Sequence, residues 1–320
     1  MVLTDKKACS NIPPIARIES LASILSIGKE ELLEISSNID SLWMPGKLLR
    51  KKNGEPRPTL DAKPRLKMLH EKIKNRMLKQ VYYPTYLLGG IEDKMTPRDY
   101  KRHAAIHSGK SILISEDVKD FFPSSSIDVV SGVWKYLFRC TPEVATLLAN
   151  ITTLNGSLPQ GWKTSGYLAN LVFWDVEPEL VKVLSKRGFS YSRFMDDITV
   201  SSKTRISKTS KTYVVNEIYR MLFSKGYSPK RSKHQIVSNN NRMEVTGLTV
   251  NSDIPSLSKI ERNNIRAIVH KCECHAKGER TSSVYKKLWN KASGKVGTLT
   301  RFHAGEGGRL RQRLRAVKPI

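Results

Sequence analysis

Tyr191-Ser192-Arg193-Phe194-Met195-Asp196-Asp197-Ile198-Thr199-Val200 sets two adjacent carboxylates between short runs of alternating apolar and polar residues. That pattern predicts a β-hairpin with the acids at its tip. Two like charges side by side repel, so the pair needs a cation or a cluster of basic groups to neutralise it. Asp-Asp is also common turn chemistry, and alone it marks no more than a solvated turn. A second acid, Asp117, lies upstream in Ser111-Ile112-Leu113-Ile114-Ser115-Glu116-Asp117-Val118-Lys119-Asp120-Phe121-Phe122-Pro123-Ser124. The apolar run Ile112 to Ile114 predicts a buried strand with Asp117 near its exit, where carboxylates gather around metal ions. Glu116 falls on the opposite face and Asp120 beyond it, so both read as bystanders. Ser125 or Ser126 then caps a helix with the stripe Val130, Val133, Trp134, Leu137 and Phe138.

Further stretches extend this order. Leu158-Pro159-Gln160-Gly161 and Leu168-Ala169-Asn170-Leu171 stand between the two acid segments, and Val245-Thr246-Gly247 follows them. Asp-x-x-x-Phe-Phe-Pro-Ser, then Leu-Pro-Gln-Gly, then Phe-Met-Asp-Asp resembles the motif order of reverse transcriptases. Tyr191-Ser192-Arg193, Leu168 to Leu171 and Val245-Thr246-Gly247 make the resemblance closest to the bacterial retron type. It covers roughly Arg57 to the C-terminus. Two positions depart from the pattern: His103 in His103-Ala104-Ala105-Ile106-His107 stands where retron enzymes carry Asn, and Phe194 stands where the acid box usually has Tyr.

The resemblance implies an α+β, right-hand polymerase fold: fingers, a palm whose antiparallel sheet is backed by helices, and a short basic helical thumb. Residues 1–110 would hold the N-terminal helices and fingers, 111–251 the palm, and 252–320 the thumb or RNA-binding region. It implies an RNA-directed DNA polymerase that uses two Mg2+ ions and deoxynucleoside triphosphates. Asp117 and Asp196 would be the bridging metal ligands, Asp197 a weaker one, and the Val118 carbonyl a contributor. Lys233, in Gly226-Tyr227-Ser228-Pro229-Lys230-Arg231-Ser232-Lys233-His234, would donate a proton near the leaving pyrophosphate; read without the resemblance, it is a phosphate-screening lysine. Arg57 is the positional match for the triphosphate contact, with Lys51, Lys52 and Lys67 as alternatives. Gln160 would touch the incoming sugar or base, and Phe122 would exclude a 2′-hydroxyl, although it also reads as a core aromatic. His103, His107, Val245, Thr246, Gly247, Arg309 and Arg313 are the expected RNA contacts, with His107 reading equally as a brace for the adjacent strand.

The implied partners are a cognate structured noncoding RNA serving as template and primer, and its branched RNA–DNA product (msDNA). A separate effector chain in antiphage defence is also implied. A group II intron-like or abortive-infection reverse transcriptase would share the acid chemistry, and a catalytically inactive RNA-binding scaffold is the reading from another class.

Composition agrees with a polyanionic partner. The chain has 320 residues, 55 Lys and Arg against 29 Asp and Glu, a net charge of +26 and 39% hydrophobic content. That is enough apolar matter for a core, with a basic surface suited to phosphates. No stretch has the unbroken apolar length of a spanning helix and the N-terminus does not read as a signal peptide, so no membrane partner and a cytoplasmic location are expected. Cys9, Cys140, Cys272 and Cys274 give no disulfide framework. Cys272-Glu273-Cys274-His275 lacks a second ligand pair close by, so no zinc is expected.

Periodicity supplies the remaining elements. Leu21, Ile24 and Leu25, then Leu32 to Ile35, predict N-terminal helices, and Asn53-Gly54 predicts the turn of a basic hairpin over Lys51 to Leu60. Leu168 to Leu184 reads as one helix stopped by Gly188, and Tyr213 to Phe223 as another. Ile265, Ile268 and Val269, and later Leu310, Leu314 and Val317, give the basic C-terminal region two helix faces. Tyr285, Trp289 and Phe302 read either as RNA contacts or as core of that region.

Overall fold

The computed structural model describes residues 7–46, 48–50, 54–57, 60–278 and 280–320. Lys51 and Lys52 lie outside them, as does the side chain of Arg57. The apolar run before Asp117 is the strand Ile112–Asp117, buried almost throughout. It sits inside a five-stranded sheet ordered Gln235–Ser238, Ile112–Asp117, Asp197–Ser202, Phe189–Phe194, Leu87–Leu88. Phe189–Phe194 and Asp197–Ser202 form the expected hairpin, and the second of these strands also pairs antiparallel with Ile112–Asp117. Leu87–Leu88 runs parallel to Phe189–Phe194, so the sheet is not wholly antiparallel.

Helices cover this sheet because their apolar stripes have nowhere else to go. Ser126, rather than Ser125, caps the helix Ile127–Gly132 by accepting from the Val129 N–H at 3.3 Å. The chain then widens into a π turn over Val133–Leu137, in which the Phe138 N–H reaches back to the Val133 carbonyl. That turn lets Val133, Trp134, Leu137 and Phe138 all stay buried. Lys208–Ser224 buries Val214, Ile218, Met221 and Leu222, capped by Ser207.

The single helix expected over Leu168 to Leu184 is two, Ser165–Leu171 and Glu177–Lys186. Pro178 is the reason: it has no N–H to continue a helix, and its ring crowds the preceding turn, so it stands in the first turn of a new helix instead. Gly188 does stop the second, at φ 79°.

The chain divides into two compact units, residues 1–103 with 112–236, and residues 104–111 with 237–320. This cuts the chain differently from the three expected regions. In the first unit, one apolar cluster runs from the N-terminal helices Ile18–Leu25 and Lys29–Ser37 to Tyr227, so expected fingers and palm share a core. In the second, helices Lys259–His275, Ser283–Phe302 and Ala304–Ala316 pack together around Val269, Cys272, Val296, Leu299 and Leu310. Tyr285 and Trp289 belong to this packing, donating to the carbonyls of Val317 and Leu314. Among the described residues no helix is long and apolar enough to cross a membrane.

Candidate active site

Asp117 ends one strand and Asp197 begins the next, and the antiparallel register makes them direct partners. Directly opposed residues stand roughly 4.5–5.5 Å apart at Cβ, so two carboxylates share one end of the sheet. Asp196 lies in the two-residue loop closing the hairpin between Phe194 and Asp197, after Met195 in a left-handed conformation at φ 58°. The Val118 N–H donates to the Asp196 carbonyl at 3.0 Å, fastening this loop to the residue after Asp117. Burial, and then the neighbouring Asp196 and Asp117 carboxylates, push the Asp197 carboxyl well above its usual range. Burial chiefly, with Asp117 adding, raises Asp196 as well. Three acids so placed favour a proton or a cation among them.

A basic turn approaches the same acids. The Lys230 N–H donates to the Asp117 carbonyl at 2.7 Å, and the 3-10 turn Arg231–Lys233 brings Lys233 Nζ to 2.5 Å from Asp117 Oδ2. That contact holds the ammonium above its usual range. Glu116 faces away from Asp117 as expected, but it is no bystander. Its buried carboxylate meets His234 Nδ1 at 2.5 Å and accepts from the Tyr219 hydroxyl at 3.4 Å. Adjacent residues of one strand therefore hold adjacent residues of the turn, on opposite faces. No local pattern marks this pairing, because His234 lies 118 positions from Glu116.

Phe121 is core, stacked on Phe173 and tilted against Tyr227, whereas Phe122 is only half-buried and meets Phe121 edge-on. Gln160 is exposed, next to left-handed Gly161, and the following Trp162 stacks on Trp43 with ring centroids 3.3 Å apart. Trp43 was not singled out in the sequence; it links the strand Trp43–Pro45 to the Pro-Gln-Gly loop. Lys67 is paired with Asp61, and the backbone of Arg57 lies in the expected hairpin, opposite Leu49.

His103 and His107 are both fully buried, which removes the RNA contact expected of His103 and, of the two readings of His107, leaves the bracing one. The His103 ring stacks on Phe194 with centroids 5.5 Å apart, and burial lowers its pKa to about 3, so it is a neutral packing group. The Val245 side chain is likewise inside, for it opens the tight hairpin pairing Val245 with Leu248. Thr246 and Gly247 form the tip, both left-handed at φ 47° and 82°. A β-branched residue there is strained. Of the basic residues in the second unit, Arg309 is exposed, while Arg313 forks onto Glu273 and Arg262 and Arg266 converge on Glu306.

Among the described residues no group of three His, Cys, Asp or Glu side chains forms a ready metal cage. Mg2+ seldom asks for one, since it keeps waters and takes one or two carboxylates together with substrate phosphates. The all-oxygen donors of Asp117 and Asp196, with the raised Asp197 beside them, fit such an ion.

The fold and this strand-end constellation define a class. Residues 49–250 match the family described as reverse transcriptase (RNA-dependent DNA polymerase), and the chain belongs to it. Its relatives place it further, as a retron-type reverse transcriptase, an RNA-directed DNA polymerase. It is 34% identical to the retron Se72 reverse transcriptase of Salmonella heidelberg (strain 579083-10), covering 97% of this chain and 82% of that protein. It is 30% identical to the retron Ec48 reverse transcriptase of Escherichia coli, covering 96% and 77%. A telomerase from Candida albicans, in complex with a fragment of telomeric RNA, aligns over 63% of this chain and 40% of its own at 12% identity, with a TM-score of 0.39. At that score the likeness carries no argument.

Proposed function

We propose that this polymerase copies a cognate structured noncoding RNA, serving as both template and primer, into a branched RNA–DNA product. The observation that carries its chemistry is the register pairing Asp117 with Asp197 while Lys233 reaches Asp117. Asp117 and Asp196 hold the metal, with Asp197 as a weaker ligand and the Val118 carbonyl contributing. Two Mg2+ ions, when bound, stabilise the attacking and leaving oxygens of an in-line displacement. Lys233 then donates a proton toward the leaving pyrophosphate. In this reading the flat ring of half-buried Phe122 excludes a 2′-hydroxyl, exposed Gln160 contacts the incoming nucleotide, and Arg57 its triphosphate.

The net charge of +26, the exposed Gly247 at the hairpin tip beside half-buried Thr246, and exposed Arg309 support RNA binding, driven by phosphate contacts and by shape. A separate effector chain, a role in antiphage defence and a cytoplasmic location complete the reading.

The deciding experiment purifies the protein from its native locus and treats the bound nucleic acid separately with ribonuclease, deoxyribonuclease and a 2′–5′ debranching enzyme. A discrete DNA whose mobility shifts on debranching is the expected result. RNA with no attached DNA would overturn the branched-product reading.

A further inference from the structure

Arg193 is fully buried, one strand position before the acid box begins. Its Nε donates to Glu177 Oε1 at 2.7 Å and its Nη2 to Glu177 Oε2 at 2.8 Å and to the Asn170 carbonyl at 3.1 Å. Its Nη1 reaches the Met195 carbonyl at 3.1 Å and the Ala169 carbonyl at 3.5 Å. A guanidinium has five N–H donors, and each one here faces an acceptor. Glu177 is also buried and accepts from the Tyr191 hydroxyl at 2.6 Å. A buried ion pair is weak evidence for stability, because desolvation offsets its attraction; its best-attested use is to fix one geometry among several.

The geometry held here is that of Met195. This residue sits at φ 58°, a conformation that costs a residue with a side chain, and it persists only where its surroundings over-determine it. Three contacts do so. The Met195 N–H donates to the Leu88 carbonyl at 3.2 Å, its carbonyl accepts from Arg193, and its sulfur receives the Asn170 amide at 3.4 Å. The same Asn170 amide also donates to the Gly89 carbonyl at 2.9 Å, and the Asn170 side chain is fully buried. Asp196 and Asp197 follow Met195 directly, so this left-handed residue bears on their directions together with the Val118 N–H on the Asp196 carbonyl and the pairing of Asp197 with Asp117.

We propose that Arg193, backed by Glu177 and assisted by Asn170, is a positioning residue for the catalytic carboxylates. It clamps the Met195 turn so that Asp196 and Asp197 meet a metal in one orientation. The inference rests on the reading of Asp196 as a metal ligand. It extends that reading to groups that touch neither metal nor substrate.

The test compares Arg193→Lys and Asn170→Ala with the unaltered protein and with Asp196→Asn. The measurements are Tb3+ luminescence on the protein alone, Mg2+ titration of primer extension, and thermal melting. Lys keeps the charge but presents three donors from a single point, so it cannot hold Glu177 and the Met195 carbonyl together. Asn170→Ala removes the milder half of the clamp and keeps the test decisive if Arg193→Lys fails to fold.

The expected result is folded variants whose half-saturating Tb3+ and Mg2+ concentrations rise about tenfold or more, the effect usual for groups that orient metal ligands, with little change in KM for the nucleotide. Folded variants with unchanged metal dependence and unchanged turnover per active molecule would overturn the clamp, even if their melting temperature falls. Retention of normal Tb3+ binding by Asp196→Asn would instead overturn the metal-ligand reading beneath it.

Discussion

Asp197 bears the electrostatic strain of the site. Its carboxyl is raised by burial and by two neighbouring carboxylates, so the folded protein without metal binds a proton there more tightly than the unfolded chain does. A raised carboxyl contributes stability below its unfolded pKa, and that contribution is lost as pH rises toward the folded value. Asp197→Asn should therefore raise the metal-free melting temperature near neutral pH while lowering synthesis. Each kcal/mol regained moves the midpoint by about 2–4 °C in a domain of this size, and calorimetry beside primer extension checks both effects. Lys233→Ala should slow incorporation by about a hundredfold, the range for loss of a general acid. Asp117→Asn should leave no measurable synthesis, and equal losses in single-turnover assays would refute separate roles for the two residues. Phe122→Ala should admit ribonucleotides; sugar selectivity unchanged from the parent enzyme would remove Phe122 from the gate. Asp117, Asp196 and Asp197 were legible because acids at strand ends are a chemical signal. Glu116 was not, since its partner His234 is brought alongside only by the sheet and the turn that crosses it.

Among the elements, the hairpin that carries Asp196 and Asp197 depends on how closely its neighbours approach. Gly90 has φ 67°, and a Cβ there would meet Met195 Sδ at 2.7 Å and the Gly166 backbone at 3.1 Å. Gly90→Ala should then destabilise the protein by about 1–3 kcal/mol, through backbone strain and overpacking, and slow synthesis by displacing Met195; urea unfolding and primer extension report the two effects. The break between Ser165–Leu171 and Glu177–Lys186 was written in Pro178, but the apolar spacing on either side of it outweighed that signal in the sequence reading. The cap at Ser126 and the stripe from Val130 to Phe138 were legible, whereas the π turn that lets the whole stripe face inward was not. Local propensity carries no mark of a wider turn that only packing rewards.

For the whole molecule, burial sets the response to acid. His70 and His103 are buried and neutral, with pKa values lowered by burial to about 4 and about 3, and the Nε2–H of His70 donates to the Ile151 carbonyl at 2.8 Å. The unfolded chain protonates both near their ordinary value of about 6.5. Stability from these groups is thus present above that pH and is lost as pH falls toward the folded values, by up to about 1.4 kcal/mol per pH unit for each. A melting series from pH 7 to pH 4 should fall more steeply in Asp197→Asn, where the most strongly raised of the opposing carboxyls is gone, and His70→Phe in that background should reduce the slope. The sequence by itself determined the family, the order of the motifs, the acids and the basic surface, because chemistry and periodicity are properties of neighbouring residues. It also led His103, His107 and Val245 to be read as RNA contacts, since residue type says what a side chain can bond but not whether it faces solvent. Tertiary structure alone decided that these three are buried, that Asp117 faces Asp197, and that Arg193 finds Glu177 and the Met195 carbonyl. Such contacts join distant segments, and they form only when the sheet and its helices exclude water together.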